Sequence, residues 1–253
     1  MCGTCGCGKT TSHDRQGHDH HHHHQHDHAE ANRAAARPRQ WVELEAAVLA
    51  KNDSLAQRNR EWLDRRGLTA FNFVSSPGSG KTTLLERLAR ELARRRQLYV
   101  VQGDQATNRD AERVRAAGAK AVQINTGTGC HLDAEMVAGA LDELDPPAGS
   151  LVAIENVGNL VCPALFDLGE HARVALMSVP EGADKPLKYP YMFRSASLVV
   201  LNKLDLLPYV DFDPAEFRAA LAAVHPQVEC LQLSATRGDG VDALTRWLEA
   251  RSP

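Results

Sequence analysis

The sequence lacks long apolar runs and any excess of positive charge. Its apolar segments are short, such as LVAI at 151–154, whereas a membrane-spanning helix needs about 20 apolar residues. The N-terminus carries no apolar stretch of the signal-peptide type. The net charge is −3, which provides no basic face for nucleic acid. We therefore expect a cytoplasmic protein that binds neither membranes nor nucleic acids.

The first 38 residues also lack aliphatic side chains, but they are rich in metal ligands. Cys2, Cys5 and Cys7 are spaced by glycines and can wrap one soft or borderline ion. Three sulfurs with an N-terminal amine suit Ni²⁺ and equally suit Zn²⁺, and a redox pair is the alternative. Because the cytoplasm keeps thiols reduced, the six cysteines favour metal ligands or reactive thiols over disulfides.

A histidine tract follows these cysteines. Imidazoles are mostly neutral at pH 7 and can bind Ni²⁺ or Zn²⁺. Because a flexible tract holds several ions without fixed geometry, it suits metal storage or capture. The predicted ligands of the tract are His18, His20, His21, His22, His23, His24, His26 and His28. We predict that residues 1–38 form a disordered, Cys/His-rich metal-binding tail.

An amphipathic lead helix is predicted at 39–67, before a main domain at 68–253. Apolar residues recur every seven positions in this helix, namely Trp41, Val48, Leu55 and Trp62. This apolar stripe would pack on the main domain or, alternatively, on a second copy of the chain.

Strands and helices alternate along the main domain. Strands are predicted at 70–75, 98–102, 120–124, 150–154, 173–179, 197–201 and 228–233. Helices are predicted at 81–96, 107–117, 131–144, 213–224 and 239–251. The alternation predicts an α/β fold with a mostly parallel sheet and helices on both faces.

The segment SSPGSGKTT at 75–83 predicts a phosphate-binding loop between a strand and a helix. The backbone N–H groups of Gly78, Ser79 and Gly80 can face phosphates, and the following helix adds its positive N-terminal dipole. Ser75 stands where the usual GxxxxGK[ST] pattern has its first glycine. A small residue can suffice there because the position ends the strand.

Further polar side chains are predicted to complete this site. Lys81 would reach the β- and γ-phosphates, and the hydroxyl of Thr82, beside Thr83, would bind Mg²⁺. Asp104 and Glu155 each follow a predicted strand, and strand ends face the ligand in this architecture. Either carboxylate can hold Mg²⁺, and Asp104 could also orient the attacking water. We therefore predict catalytic roles for Lys81, Asp104 and Glu155.

The nucleotide base is predicted to be guanine. The segment VVLNKLD places Asn202, Lys203 and Asp205 at a strand end. A carboxylate there accepts hydrogen bonds from guanine N1–H and from its exocyclic amine, whereas adenine would leave it unpaired. A segment after the next strand could offer a backbone N–H to the guanine oxygen; its residues are Ser234, Ala235 and Thr236. GTP is therefore favoured over ATP.

A second metal site is predicted in the main domain. Cys130 and His131 stand together at the start of a predicted helix, and Cys162 lies in a loop seven residues after Glu155. Both segments follow strand ends on the nucleotide side of the sheet. Three ligands from one chain leave room for ligands from a second copy. Buried thiols with a capping histidine are the alternative.

Taken together, these segments resemble the HypB family of GTPases that help to insert nickel into nickel–iron hydrogenases. The resemblance rests on MCGTCGCG, SSPGSGKTT, GDQ, NTGTGCHLD, ENVGNLVCPALFDLGE, EGADKPLKYP, LNKLDLLPY and SAT. It covers nearly the whole chain outside about 9–40. Members of that family differ in whether they carry a histidine tract.

The resemblance implies a P-loop GTPase of the SIMIBI type that forms a homodimer with GTP or metal. It also implies a tight nickel site at Cys2, Cys5 and Cys7, and a nickel or zinc site at Cys130, His131 and Cys162. The implied partners are a second nickel accessory protein and the hydrogenase large-subunit precursor. The implied function is a GTP-hydrolysing nickel metallochaperone.

Three other functions fit parts of the pattern. A urease-type nickel accessory GTPase shares the P-loop class, although CGTCGC and ENVGNLVCP argue against it. A metal-storage protein with a vestigial nucleotide site is a second alternative. A zinc or cobalt chaperone of the same fold is a third, because cysteine and histidine spacing does not separate these metals.

Overall fold

A computed structural model describes residues 39–104, 109–127 and 129–252 of the chain, with side chains from residue 43 onward. In this described part, seven parallel strands form one sheet in the order β3-β2-β4-β1-β5-β6-β7. The strands are β1 (Thr69–Ser75), β2 (Leu98–Asp104), β3 (Lys120–Asn125), β4 (Leu151–Glu155), β5 (Ala172–Ser178), β6 (Leu198–Asn202) and β7 (Glu229–Gln232). Each lies within one or two residues of its predicted bounds, and the predicted α/β fold is confirmed.

The helices connect these strands and cover both faces of the sheet. They are α1 (Arg39–Arg65), α2 (Lys81–Leu92), α3 (Arg109–Ala116), α4 (Ala134–Leu144), α5 (Cys162–Leu165), α6 (Lys185–Lys188), α7 (Pro190–Arg194), α8 (Pro214–Val224) and α9 (Val241–Glu249). Short 3₁₀ helices lie at Val179–Glu181 and Leu204–Tyr209. No helix in the described part combines the length and apolar character that a membrane crossing needs.

Alternate residues of the central strand β1 point into different layers of the core. Phe71 and Phe73 pack in a cluster with α2, α3 and α9. On the other face, Ala70 packs in a cluster with α1 and α4, and Val74 packs with α7 and α8. Because both faces are covered, the strand is buried along its whole length.

Two local predictions near the second metal site were wrong. Helix α4 begins at Ala134 and not at 131, because the Asp133 carboxylate caps it by accepting a hydrogen bond from the Met136 N–H at 2.8 Å. Cys130 and His131 therefore lie in the loop before the helix. Cys162 begins the short helix α5, where a loop was expected.

Trp62 of the predicted stripe packs against the core cluster that includes α4, so packing of the lead helix on the main domain is confirmed. The buried residues of the lead helix are Asn52, Ala56, Asn59 and Leu63. Val48 is 49% exposed. The heptad pattern therefore identified the buried face only in part, because two of the fully inward positions are occupied by asparagine.

Candidate functional site

The loop at 76–80, between β1 and α2, has the backbone geometry of an anion-binding turn. Gly78 and Gly80 have φ angles of 74° and 99°, in the left-handed region that favours glycine. A Cβ at Gly80 would also approach the amide nitrogen of Asn202 to 2.6 Å. Helix α2 then begins at Lys81, so its first N–H groups and positive dipole end face the loop.

The side chain of Lys81 is held by Ser75, the last residue of β1. Its Nζ donates to Ser75 Oγ at 2.5 Å, and Ser79 Oγ donates to the same oxygen at 2.6 Å. Ser75 is fully buried, so the residue that replaces the expected glycine supplies a hydroxyl to the site. Burial lowers the pKa of Lys81, although the nearby carboxylates, led by Glu155, oppose this shift.

Glu155 lies at the centre of a group of oxygen atoms. Its Oε1 accepts from the Thr82 hydroxyl at 2.7 Å, and its Oε2 accepts from Gln102 Nε2 at 2.6 Å. The Thr82 hydroxyl also lies 3.3 Å from Asp110 Oδ2. Burial raises the pKa of Glu155, and the charge of Lys81 opposes this effect. Carboxylate and hydroxyl oxygens are the ligands that Mg²⁺ prefers, so these residues fit that ion.

A cleft of about 540 Å³ opens over these groups. It brings the predicted carboxylates Asp104 and Glu155 together with the phosphate-binding loop, including Thr83. Arg113 of α3 also lines the cleft, and it donates to Thr83 Oγ1 at 3.3 Å. The cleft therefore combines an anion-binding loop, the buried carboxylate of Glu155 and a cation on its wall.

The residues predicted to contact the base form a second hydrogen-bonded group at the end of β6. Asn202 donates to the Ser79 carbonyl at 2.9 Å and accepts from the Ala235 N–H at 3.0 Å. Lys203 has a φ of 62°, and its Nζ donates to the Gly78 carbonyl at 2.6 Å. Both side chains tie the phosphate-binding loop to the predicted base-binding segments.

Asp205 is oriented by a neighbouring hydroxyl. Ser234 Oγ donates to Asp205 Oδ1 at 2.5 Å. The Thr236 carbonyl accepts from Arg87 of α2 at 2.9 Å, which fixes the end of this segment. The Ala235 N–H is already bonded to Asn202, so an N–H for the guanine oxygen would have to come from a neighbouring residue.

Cys130, His131 and Cys162 converge although they come from two separate segments. One ligand atom from each residue can be chosen so that all lie within 4.8 Å of one another. Cys130 Sγ lies 3.1 Å from Cys162 Sγ and 3.7 Å from His131 Nδ1. All three residues are half-buried. Two thiols and an imidazole fit Zn²⁺ or Ni²⁺ and leave a coordination position open.

The imidazole of His131 is fixed from one side by an aromatic ring. It stacks on Phe166 with ring centroids 4.0 Å apart and an interplanar angle of 29°. Burial lowers the pKa of His131, and the charge of Asp133 opposes this effect. The neutral imidazole that a metal ion requires is therefore favoured.

Asn156 connects the nucleotide cleft to this thiol–imidazole cluster. It directly follows Glu155 and is 1% exposed. Its Oδ1 accepts from the N–H of Leu132, the residue after His131, at 3.2 Å. A Cβ at Gly103 of β2 would lie 2.7 Å from Leu132 Cγ, so β2 also contacts this segment closely.

The sequence reasoning did not single out Gln102, Asp110, Arg113 or Asn156. Asn156 directly follows Glu155, and Gln102 lies two residues before Asp104 in β2, so their closeness to selected residues was an available signal. Asp110 and Arg113 reach the cleft from α3, and nothing in their local sequence indicated this. Cys2, Cys5, Cys7 and the histidine tract lie outside the described residues, and their roles stay predictions.

Comparison with known proteins identifies the relatives of this chain. The nucleotide-binding domain of the CobW/HypB/UreG family matches residues 69–232. The hydrogenase maturation factor HypB of Rhizobium leguminosarum bv. viciae is 53% identical over 208 residues, which cover 82% of this chain and 70% of the relative. The crystal structure of HypB from Helicobacter pylori in complex with nickel is 39% identical, with a TM-score of 0.75, and covers 79% of this chain and 94% of that one.

A more distant structural likeness extends to a protein of the signal recognition particle. The 54 kDa protein of the particle from Aeropyrum pernix, in complex with GDP, is 16% identical, with a TM-score of 0.51, and covers 88% of this chain and 55% of that one. This likeness concerns the fold alone, and it agrees with the SIMIBI type of fold that the sequence resemblance implies. By its matched domain and its identity to these relatives, the chain belongs to the HypB family of hydrogenase maturation GTPases.

Proposed function

We propose that the chain is a GTP-hydrolysing nickel metallochaperone that delivers Ni²⁺ to, or regulates its insertion into, the large-subunit precursor of a nickel–iron hydrogenase. Membership of the HypB family supports the hydrogenase-maturation role. The nickel complex of the Helicobacter pylori relative supports nickel as the cargo. The convergence of Cys130, His131 and Cys162 supplies a site where this chain could hold the ion.

GTP would be selected by the carboxylate of Asp205. Its fixed orientation by Ser234 favours two hydrogen bonds to guanine, from N1–H and from the exocyclic amine. Asn202 would keep the base-binding segments joined to the phosphate-binding loop. Lys203 would pack its aliphatic stem against the base while its ammonium holds Gly78.

Hydrolysis would take place in the cleft above Glu155. The backbone N–H groups of 78–80 and the ammonium of Lys81 would bind the phosphates, and Lys81 would then exchange Ser75 for phosphate oxygens. Thr82, with Glu155 or Asp104, would hold Mg²⁺, which neutralises charge on the β- and γ-phosphates when bound. Asp104 is also our candidate for orienting the attacking water, since it lines the same cleft.

Nickel binding would be linked to the nucleotide state through the segment that follows β4. The observation that carries this proposal is that Glu155 accepts a hydrogen bond from Thr82, the proposed magnesium ligand, while the next residue, Asn156, bonds the backbone beside His131. Ordering of Glu155 by Mg²⁺ and GTP would therefore move one metal-ligand segment relative to the other. Linkage requires that nickel changes nucleotide affinity by the same factor.

Residues 1–38 would capture and store metal before it reaches the cluster. Cys2, Cys5 and Cys7 would form a tight nickel site, and the histidine tract would hold further Ni²⁺ or Zn²⁺. The open coordination position at the Cys130 cluster could accept a ligand from a second copy of the chain, which supports a homodimer formed with GTP or metal. A second nickel accessory protein would be a further partner, and the thiol ligands suit the reducing cytoplasm.

A host with nickel–iron hydrogenase but without its own copy of this protein tests the proposal. The wild-type chain should restore hydrogenase activity at low nickel concentration, and excess nickel should partly replace it. Lys81→Ala should fail at low nickel, because phosphate binding is lost. Full activity of Lys81→Ala at low nickel would contradict the proposal and favour a storage protein with a vestigial nucleotide site.

A further inference from the structure

Two asparagines of the lead helix are buried against the protein where apolar residues would ordinarily lie. Asn52 and Asn59 are each 5% exposed and share the inward face of α1 with Ala56 and Leu63. Burying an amide costs free energy unless its hydrogen bonds are satisfied. The partners of these amides therefore indicate what the positions do.

Both asparagines bind the segment that carries the first two metal ligands. Asn52 Oδ1 accepts from the Ala134 N–H at 2.9 Å, and Asn59 Nδ2 donates to the Ala134 carbonyl at 2.8 Å. Ala134 is the first residue of α4 and lies three residues after His131. Both backbone polar groups of one residue are thus held by α1.

The same asparagines also bind the segment that follows Cys162. Asn52 Nδ2 donates to the Asp167 carbonyl at 2.7 Å, and Asn59 Nδ2 donates to the Leu168 carbonyl at 3.0 Å. These carbonyls come directly after Phe166, whose ring stacks on His131. Each asparagine therefore bridges the two segments that supply the thiol–imidazole cluster.

Other contacts make this attachment rigid. Arg60 Nη2 lies 2.9 Å from both carboxylate oxygens of Asp167. A Cβ at Gly169 would lie 2.5 Å from the Ala56 carbonyl oxygen, so the second segment touches the helix backbone itself. The helix lies before residue 69, where the match to the shared CobW/HypB/UreG domain begins. The helix that carries the two asparagines is therefore outside the matched nucleotide-binding domain, although their partners lie within it.

We infer that Asn52 and Asn59 are positioning residues for the metal site formed by Cys130, His131 and Cys162. They fix the separation of the two ligand segments without contacting the ion. This inference rests on the proposed role of that cluster in binding nickel. Groups that orient metal ligands from outside the coordination sphere typically change metal affinity by about 10–100-fold.

The test uses the full chain with Cys2, Cys5 and Cys7 replaced by serine. In this background, Ni²⁺ is titrated against a competing chelator, and the thiolate-to-nickel absorption band is followed. The histidine tract gives no such band. Among the described residues, Cys230 belongs to no group of three or more potential metal ligands, and burial also raises the pKa of its thiol to about 11. The band therefore reports the Cys130–Cys162 site.

Asn59→Leu keeps the size of the side chain and removes both donated bonds. We expect its nickel affinity to fall at least about tenfold, with a shifted band, while GDP affinity is retained. Asn52→Asp is the second variant, because it keeps the acceptor for the Ala134 N–H, loses the bond to the Asp167 carbonyl and places a carboxylate oxygen against that carbonyl. A loss of nickel affinity is expected there too, because the tie between Ala134 and Asp167 is broken.

Leu221→Ala in α8 is the control for stability. Leu221 is buried in a cluster with β5 and β6, so its truncation weakens the fold by removing core contacts away from α1. It should leave the nickel band and affinity unchanged. Asparagine variants that bind nickel as tightly as Leu221→Ala would overturn the inference. A band that survives Cys162→Ser would instead show that the proposed metal site itself is wrong.

Discussion

Gly158 lies where the segment after β4 contacts the phosphate-binding loop, and substitution by alanine should disturb both sites. A Cβ at this position would lie 2.9 Å from Pro77 Cα and 3.0 Å from Pro77 N. Favourable contacts between such atoms require about 3.5–4.0 Å, so the two segments must separate by roughly 0.5–1 Å. Overpacking of this kind costs about 1–3 kcal/mol.

The segment after β4 should be the one that moves. The phosphate-binding loop is held by Lys203 through the Gly78 carbonyl and by Asn202 through the Ser79 carbonyl. A shift of this size would displace Cys162 by more than the tolerance of about ±0.2 Å in metal–ligand distances. We expect Gly158→Ala to lower the free energy of unfolding by about 1–3 kcal/mol. We also expect about a tenfold loss of nickel affinity, equivalent to about 1.4 kcal/mol.

Urea unfolding and nickel titration of the chain with Cys2, Cys5 and Cys7 replaced by serine would measure these effects. Gly139→Ala is the matched control. This glycine lies in α4 with no atom within 4 Å of an added Cβ, so alanine should stabilise the helix by about 0.5–1 kcal/mol. Nickel affinity should not change in the control. Unaltered nickel affinity in Gly158→Ala, despite the expected loss of stability, would refute the reasoning.

Three further predictions concern the nucleotide cleft. Asp205→Asn should lower GTP affinity by about 10²–10⁴-fold, because two charge-assisted hydrogen bonds of about 1.5–3 kcal/mol each are lost. In a competition assay, the affinity of the variant for XTP should rise relative to its affinity for GTP. Ser75→Ala removes the hydroxyl that holds Lys81, so the free energy of unfolding of the nucleotide-free protein should fall by about 1–3 kcal/mol. Because GDP would then supply the missing partner of Lys81, the rise in melting temperature on GDP binding should increase in a thermal shift assay. Because burial raises the pKa of Glu155, the native protein binds more protons than the unfolded chain between the ordinary and the raised pKa. The free energy of unfolding should therefore fall as pH rises through that window. In the same window, binding of Mg²⁺ with nucleotide should release a proton from Glu155 and should weaken as pH falls. Calorimetry in buffers of different ionisation enthalpy should detect this proton for the wild-type chain but not for Glu155→Gln. An unchanged base preference, an unchanged GDP effect or the absence of proton release would contradict the respective prediction.

Strand positions could be predicted from the sequence because the strands are short apolar runs bounded by turns. Apart from the short α5, α6 and α7, the helices of the main domain could be predicted in the same way. The phosphate-binding loop could also be predicted from the sequence, because its glycines and Lys81 occur at a fixed spacing before a helix. The role of Ser75 could not be predicted, because its hydrogen bond from Lys81 depends on how the phosphate-binding loop folds back on itself.

Contacts between distant segments account for the features that the sequence could not supply. The two asparagines of α1 interrupt an apolar pattern, and their partners lie more than 70 residues away, at Ala134 and at 167–168. The hydrogen bond that Asn156 accepts from the Leu132 N–H could not be predicted from the sequence either. The sequence indicated that the strand ends lie at one edge of the sheet. Which polar side chains bond to one another at that edge could be seen only in the structure.

The affinity for nickel in two nucleotide states tests the central claim most directly. The chain with serine at Cys2, Cys5 and Cys7 would be titrated with Ni²⁺ in the presence of Mg²⁺ and either GDP or a non-hydrolysable GTP analogue, with the thiolate band as the signal. Coupling through Asn156 predicts affinities that differ by about 5–150-fold, the usual range for linked sites. It also predicts the same factor for nucleotide binding with and without nickel. Equal nickel affinities in the two nucleotide states would contradict the account.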